Sequence, residues 1–258
     1  MDVPSLLDAL GSTPSASARA TGLARSTIQR VRDGKSSPTM ETLRELALAA
    51  GYDIDLSLVP ASDPAAAVAA RVIADPATPT LEDLAGWEMV DQSEVEAVAQ
   101  WVSRLERQAP NDRRRLLELA GRYSAPQHRK GARFFVPRSG LSQEQTVDVA
   151  NSAIGHLSGA LSGVAAAGVY LGHAPDPGPI VIWSIDPRAV ADRLAATLRE
   201  AGEYQPAGVL LAPTMRAYLV DTIMPPVWPH RVVSPIQTAI DLYGLGYTEL
   251  ADEITEGW

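Results

Sequence analysis

Residues 13–50 constrain the fold most tightly, because start, turn and stop signals for three short helices follow one another there. Thr13 can cap a helix that begins at Pro14, since proline lacks only an N–H that would have no partner at that position. Gly22 occupies the following turn, where glycine adopts a left-handed backbone without strain. After a second helix, Thr39 can cap a third. These signals predict three helices joined by tight turns.

The second of these helices has one apolar and one polar face. Its apolar residues Leu23, Ile28 and Val31 recur at helical spacing and are expected to face inward. The polar face carries Arg25, Ser26, Thr27, Gln29, Arg30 and Arg32. An apolar stripe on the third helix consists of Met40, Leu43, Leu46 and Ala47.

The stretch GLARSTIQRVRDGKSSPTMETLRELALAAG resembles the Xre/Cro-repressor class of DNA-binding helix-turn-helix domains over about residues 5–58. In that class the second helix enters the major groove, where its first residues read base edges. The resemblance implies groove residues at Arg25, Ser26, Thr27, Gln29 and Arg30, with Lys35 and Ser36 near phosphate. Ala24 departs from the class, which usually has a capping Ser or Thr there, at a cost of about 1 kcal/mol to the helix. The alternative is a solvated amphipathic helix in an unrelated bundle.

The net charge of −9 is unevenly distributed along the 258 residues. Residues 19–35 hold five basic side chains and one acidic, and residues 104–138 hold ten and three. Residues 61–103 and 139–258 are acidic, with one basic against eight acidic side chains and five against thirteen. Because binding to phosphate depends on the local patch, the negative total does not exclude DNA. The absence of cysteine and of an apolar leader favours a cytoplasmic protein.

Composition divides the chain into four parts. Residues 1–59 are the helix-turn-helix domain, which closes with a short strand or extended tail over 52–59. Residues 60–81 are a linker or connector with a helical piece at 65–73. Residues 82–138 contain helices at 82–109 and 112–123, a basic turn and a strand at 132–137. Residues 139–258 form a C-terminal domain.

The basic middle region, 82–138, has two interpretations. Helices followed by a basic turn and a strand could form a winged helix, a second unit in contact with DNA. Its contact residues would be Arg113, Arg114, Arg129 and Lys130. The alternative is a solvated basic face on a connector.

Residues 153–172 contain no Asp, Glu, Lys or Arg, so a membrane span is one interpretation of this stretch. The stretch is mostly Gly, Ala and Ser and lacks flanking positive charge, which favours a close-packed buried helix. Strands are expected at 179–185, 208–211 and 231–233. Two helices alternate with them: one begins at Pro187 and is ended by Gly202, and the other begins at Ile236 and is ended by Gly244. The expected fold class is therefore α+β and multidomain, with an all-α first domain and a small α/β module at the C-terminus.

No phosphate-binding loop, nucleophile elbow or metal-binding helix motif is present in the sequence. His128, His156, His173 and His230 are scattered without ligand spacing. Asp241 is the strongest candidate for a catalytic carboxylate, but a single carboxylate without a partner motif is weak support for catalysis. The sequence therefore predicts no enzymatic activity, no cofactor and no metal site.

Residues 110–258 resemble the C-terminal region of AbiEi-type antitoxins, the DNA-binding partners in type IV toxin–antitoxin systems. The resemblance is carried by LSGALSGVAAAGVYLG, GVLLAPTMRAYLVDT and RVVSPIQTAIDLYGLGYTELADEI, preceded by ARFFVPRSG. It implies a nucleotidyltransferase toxin from a neighbouring gene, silenced without a stable complex being required. The added helix-turn-helix departs from the family pattern, in which a winged helix binds DNA.

Together these features predict a sequence-specific repressor that binds double-stranded DNA at its own promoter and acts as an antitoxin. It would act as a homodimer or as cooperative monomers, with no membrane partner. Two alternatives stay open: a phage or prophage immunity repressor, and an enzyme acting on nucleotides with a DNA-targeting N-terminus.

Overall fold

A computed structural model describes residues 3–11, 13–156, 158–173, 177–225 and 231–256. Within these residues the chain contains thirteen α-helices and one five-stranded mixed sheet, so the fold class is α+β. The chain divides into two compact units, residues 1–59 (unit 1) and residues 60–258 (unit 2).

Unit 1 consists of four short helices: α1 (Val3–Ala9), α2 (Pro14–Thr21), α3 (Arg25–Arg32) and α4 (Met40–Ala49). The predicted caps are confirmed, because Thr13 and Thr39 each accept a backbone N–H bond from the first turn of their helix. Gly22 has φ 73°, in the left-handed region where glycine is favoured. The core of the unit consists of Leu7, Leu10, Ile28, Val31 and Leu46.

Two details of unit 1 differ from the sequence-based expectation. Met40 is exposed rather than part of the buried stripe, which consists of Leu46 and Ala47 with Leu43 half-buried. Residues 52–59 form no strand and follow α4 as an extended, exposed segment.

Unit 2 holds the remaining elements. Its helices are α5 (Pro64–Ala74), α6 (Leu81–Gly86), α7 (Gln92–Gln108), α8 (Arg113–Ser124), α9 (Gln143–Ile154), α10 (Val164–Leu171), α11 (Pro187–Thr197), α12 (Pro235–Leu245) and α13 (Thr248–Thr255). Its strands are β1 (Arg133–Val136), β2 (Gly159–Gly163), β3 (Ile180–Ser184), β4 (Arg199–Ala201) and β5 (Val209–Pro213). The strand order is β2-β3-β5-β1-β4, in which β3 and β5 are parallel and all other pairs antiparallel.

The sheet of unit 2 has a helical layer on each face. Side chains alternate along a strand, so Val181 and Trp183 of β3 pack into one cluster with α5, α8 and α12. Ile180 and Ile182 pack into the opposite cluster with α9 and α11. Burial on both faces explains why the central strands are continuously apolar.

The helix within the predicted linker, 60–81, belongs to the core of unit 2. Asp63 caps α5, and residues 64–71 of that helix are fully enclosed. Its alanines allow α7 and α8 to approach closely. The division of 60–258 into a linker and two domains is therefore wrong: these residues form one unit.

The middle region, 82–138, differs from the predicted winged helix. The single helix expected at 82–109 is two helices, α6 and α7, separated by residues 87–91. A wing would require a second strand close in sequence, but both partners of β1 come from further along the chain, β4 and β5. The strand therefore completes the sheet of the C-terminal region.

The stretch 153–172 is not one helix, and it is buried only in part: residues 153–154 and 159–167 are buried, whereas residues 155, 156, 158 and 172 are exposed. It ends α9, forms β2 and then α10. Gly163 has φ 69°, and a Cβ there would lie 2.4 Å from the carbonyl oxygen of Pro179. Gly159 and Gly163 are thus the two ends of a strand that packs closely against β3. No helix within the described residues is long and apolar enough to cross a membrane.

Three further boundaries were predicted incorrectly. Helix α11 ends at Thr197 rather than at Gly202, because β4 occupies residues 199–201. Helix α12 continues through Gly244 and is ended by Gly246. The strand expected at 231–233 is reduced to Val232, which forms isolated bridges to Leu161 and Ile223.

Candidate nucleic-acid interface

Helix α3 is held to unit 1 by one face only. Ile28 is fully buried and Val31 is almost so, while Leu23 packs against the same core from the preceding turn. Because these residues share one side of a helix, the residues between them must point outward. Arg25, Ser26, Gln29 and Arg30 are accordingly exposed, and Thr27 is half-buried.

Two guanidinium groups on this outer face have no bound partner. The side chains of Arg25 and Arg30 form no hydrogen bond or ion pair with any described residue of the chain. Each keeps five N–H donors in a planar arrangement that matches the acceptor pair on guanine or a phosphate. The first turn of α3 adds unpaired backbone N–H groups, because Ala24 provides no side-chain cap. This end of the helix is therefore rich in donors that face solvent.

Asp33 organises the other end of α3. It accepts hydrogen bonds from Gln29 Nε2 at 2.6 Å and from Lys35 Nζ at 3.2 Å. These two donors, Lys35 first, lower the pKa of Asp33, so its carboxylate stays ionised near neutral pH. Gln29 retains its carbonyl oxygen and one N–H, the pair that matches the adenine edge.

Lys35 and Ser36 lie in the turn that follows α3. Their backbone N–H groups bond to the carbonyl of Arg30 at 2.8 and 3.3 Å, and Gly34 takes a positive φ of 67°. The Lys35 side chain is exposed and that of Ser36 half-buried. All seven residues of the proposed interface thus belong to α3 or to the turn that leaves it.

Arg32 has a different role from its neighbours. The sequence places it on the polar face, but its Nη2 donates to the carbonyls of Leu7 at 3.1 Å and Gly11 at 2.9 Å. It therefore ties α3 to the C-terminal end of α1. Only the contact to a distant part of the chain reveals this role.

The four basic residues proposed as a second DNA contact do not form one free basic face. Arg129 is half-buried and donates to the carbonyls of Pro213 at 3.1 Å and Ser62 at 2.8 Å. Arg114 bridges Asp252 at 2.7 Å and Glu118 at 3.3 Å. Arg113 and Lys130 are exposed. Arg114 and Arg129 are thus engaged in contacts within unit 2.

Asp241 lies in a closed polar centre rather than in a cleft. The residue is fully buried and accepts hydrogen bonds from Ser162, Trp183, Tyr218 and Gln237 at 2.5 to 3.1 Å. Burial raises its pKa to about 6 even though all four donors act to lower it. A carboxylate enclosed in this way has no route to a substrate, so its role is in the core.

A second buried centre lies beside the first. Arg71 of α5 is fully buried, pairs with Asp221, and donates to the carbonyl of Tyr218 at 3.1 Å. Ser234 also donates to Asp221, at 3.0 Å. Sequence reasoning missed this centre, although a lone arginine within the apolar run PAAAVAARVIA was a signal that a buried partner exists.

The histidines within the described residues belong to no candidate metal cluster. His128, His156 and His173 are exposed, and His173 approaches Glu253 at 3.1 Å; His230 lies outside the described residues. Among those residues no group of His, Asp and Glu side chains could hold a metal ion.

Comparison of the chain with known protein families, with curated proteins and with solved structures finds no match.

Proposed function

We propose that the protein is a transcriptional repressor that recognises double-stranded DNA through α3. The observation that carries the proposal is the exposed, unpaired state of Arg25 and Arg30 on a helix whose opposite face is locked into the core of unit 1. A rigid helix with free donors can enter a groove without first breaking internal contacts. The resemblance of residues 5–58 to the Xre/Cro-repressor class supports the same assignment.

The side chains on α3 have the chemistry to distinguish base pairs. Arg25 and Arg30 can bond the O6 and N7 of guanine, and Gln29 the N6 and N7 of adenine. Ser26 and Thr27 lie on the first turn, which in helix-turn-helix domains contacts base edges. Lys35 and Ser36 follow the helix and are suited to phosphate contacts that fix its register.

The test is a binding titration of the full chain on its own promoter. Arg25→Ala and Gln29→Ala should each weaken binding by about 1–3 kcal/mol, because each removes a base contact. Arg188→Ala is the matched control, since Arg188 is also exposed but lies on α11 of unit 2. Wild-type affinity in both α3 variants would show that the groove assignment is wrong.

We propose further that repression belongs to an antitoxin of the AbiEi type, which controls its own operon and relieves a nucleotidyltransferase toxin. Support comes from the three segments that resemble this family. The first segment contains β2 and α10, the second contains β5, and the third contains α12 and α13. All of these elements lie within unit 2. Under this proposal unit 2 silences the toxin and unit 1 controls transcription.

Co-expression with the nucleotidyltransferase of the neighbouring gene tests the antitoxin role. A fragment should begin at residue 60, because α5 and α7 supply core residues without which α8 and α12 lose their packing partners. Fragment 60–258, once shown to be folded by circular dichroism, should restore growth, and so should full-length Arg25→Ala. If growth stays arrested although the fragment is soluble and folded, the antitoxin role is contradicted and only the repressor role remains.

A further inference from the structure

The exposed apolar side chains of unit 2 are concentrated on two short segments. Among the described residues of this unit, five large apolar residues are exposed, and four of them are Trp87, Met89, Ile223 and Met224. Met89 and Met224 are almost two-thirds exposed, at 62% and 64%. Single exposed apolar residues are normal, but a contiguous apolar patch marks a binding site. Whether the two segments adjoin therefore decides whether they form such a site.

The two segments adjoin at an open groove with a volume of about 960 Å³. Residues 86–89 line it from the end of α6 and the turn that follows, and residues from the segment 219–222 line it together with Arg231. Ile223 and Met224 continue that second segment, and Met224 lines a smaller cavity to which Arg231 also belongs. All of these residues belong to unit 2, so the groove is a feature of that unit alone.

The wall of the groove formed by the segment 219–222 is held by contacts to two helices. Glu94 of α7 accepts a hydrogen bond from the backbone N–H of Ala217, at 2.9 Å, just before this segment. Arg71 of α5 pairs with Asp221 within it. The buried arginine therefore holds one wall of the groove in place. Because the groove is formed without a partner, less conformational entropy is lost when a partner binds.

The charge around the groove selects the kind of partner. Residues 72–103, which include α6 and the turn beside the groove, hold seven acidic side chains and no basic one. Glu88 lines the groove, and its carboxylate forms no hydrogen bond or ion pair with any described residue. The guanidinium of Arg231, on the same lining, is also unpaired among the described residues. An apolar groove with an unpaired carboxylate in an acidic segment favours apolar side chains flanked by Lys or Arg.

We propose that this groove binds an amphipathic helix of a partner protein, with apolar side chains at helical spacing and Lys or Arg beside them. The apolar side chains would pack on Trp87 and Met89, as when other amphipathic helices bind in apolar grooves. The basic side chains would face Glu88 and the acidic segment around it. Arg231 suits the carbonyl groups at the C-terminal end of a helix, where a cation is favourable. The groove belongs to unit 2 and α3 to unit 1, so this inference goes beyond the proposed binding of DNA.

Titration of the full chain with two synthetic peptides tests the chemistry of the partner. The first peptide is an amphipathic helix of about fourteen Leu and Lys residues, about four turns long, and the second has Glu in place of each Lys. The Leu–Lys peptide should bind and shift the fluorescence of Trp87 to shorter wavelength, because the indole leaves water. Trp87→Phe should remove this shift. The Leu–Glu peptide should bind at least about tenfold more weakly, since its carboxylates repel Glu88; equal binding of the two peptides would overturn the proposed role of charge.

Two pairs of variants distinguish the groove from the acidic surface in general. Glu88→Lys should weaken binding of the Leu–Lys peptide by about tenfold, whereas Glu96→Lys makes the same change outside the groove and should weaken it by less than about twofold. Met89→Lys should weaken it by about tenfold or more, because an apolar anchor is lost. Gln100→Lys on α7 is the control for the added lysine. All four positions are exposed, so the variants should keep the wild-type circular dichroism spectrum.

The outcomes separate this inference from the proposed function. Binding of the Leu–Lys peptide that is lost in Glu88→Lys and Met89→Lys supports the groove, whether or not the chain binds its promoter. No binding of this peptide, or an equal loss in the control variants, would overturn the inference and leave the proposed binding of DNA intact. Self-association of the chain in sedimentation equilibrium that Met89→Lys abolishes would mean that a second copy occupies the groove, and would also overturn it.

Discussion

Arg30 of unit 1 and Arg71 of unit 2 are both helical arginines, but their surroundings are opposite. Arg30 is exposed, and its guanidinium has no partner among the described residues. Arg71 is fully buried, pairs with Asp221 and lies 5.2 Å from the centre of the Tyr218 ring. The guanidinium of Arg30 is therefore accessible to a ligand, whereas that of Arg71 is bound within the core of unit 2.

The contrast extends to the two units as wholes. Unit 1 has a core of five buried apolar residues, and most charged side chains on its α3 and the following turn face solvent. Unit 2 builds two large clusters across a sheet and encloses an arginine and a carboxylate. A domain of about 60 residues buries a smaller fraction of its surface and is correspondingly marginal in stability. Unit 1 therefore leaves most of the charges of α3 to solvent, whereas unit 2 encloses an arginine and an aspartate in its interior.

The largest expected effect comes from Arg71→Met. Removal of the guanidinium leaves Asp221 without its cation and two backbone carbonyls without a donor, which should lower the free energy of unfolding of unit 2 by about 3–5 kcal/mol. Tryptophan fluorescence follows this unit selectively during urea unfolding, because all five tryptophans lie in residues 60–258. Arg188→Met, at an exposed site, should change stability by less than about 0.5 kcal/mol. If Arg71→Met and Arg188→Met lowered the free energy of unfolding equally, burial of the arginine would make no difference to stability.

Asp241 should make unit 2 less stable as the pH rises. Its pKa is about 6 in the folded chain and 3.8 as the ordinary value, so the folded state holds the proton more tightly. The stabilisation is present below about pH 4 and is lost as the pH rises toward 6, by on the order of 3 kcal/mol. Asp241→Asn should abolish this slope. The measurement is urea unfolding by fluorescence from pH 4 to pH 7, and a wild-type minus variant difference that is constant with pH would contradict the assignment.

Gly121→Ala should destabilise unit 2 although alanine favours helices. A Cβ at this position of α8 would lie 2.5 Å from the carbonyl oxygen of Ile240 and 2.7 Å from the nitrogen of Gly244 on α12. Separation of the two helices should cost about 1–3 kcal/mol. Gly202→Ala is the control, because nothing lies within 4 Å of the added carbon there. Thermal unfolding that ranks the two variants equally would show that α8 and α12 are not in tight contact.

The smallest effect is expected in unit 1, from Asp33→Asn. The change removes a negative charge beside the proposed DNA surface and frees Lys35 for phosphate, so promoter affinity should rise by about twofold to fivefold at low salt. The slope of log K against log salt should steepen by up to about 0.9, the contribution of one added phosphate contact. Glu45→Gln makes the same change of charge on α4 and is the matched control. Weaker binding by the Asp33 variant would mean that its bond to Gln29 positions the reading helix.

The sequence by itself determined those helices and strands whose start and end depend on residues close by in the chain. The caps at Thr13 and Thr39, the left-handed turn at Gly22 and the start of α8 after Asp112 were all predicted correctly. So were the buried strand β3 and the start of α11 at Pro187. Capping, backbone freedom and hydrophobic periodicity act over a few residues, so they are visible without knowledge of the fold.

Only the tertiary structure decided which element packs against which. It placed α5 in the core rather than in a linker, joined β1 to β4 and β5, and turned a helix-like run of small residues into β2. It also separated arginines that are alike in sequence: Arg25 faces solvent, while Arg32 and Arg129 bind carbonyls 21 or more residues away. Strand pairing and the burial of a charge depend on partners distant in the chain, and no local pattern specifies those partners.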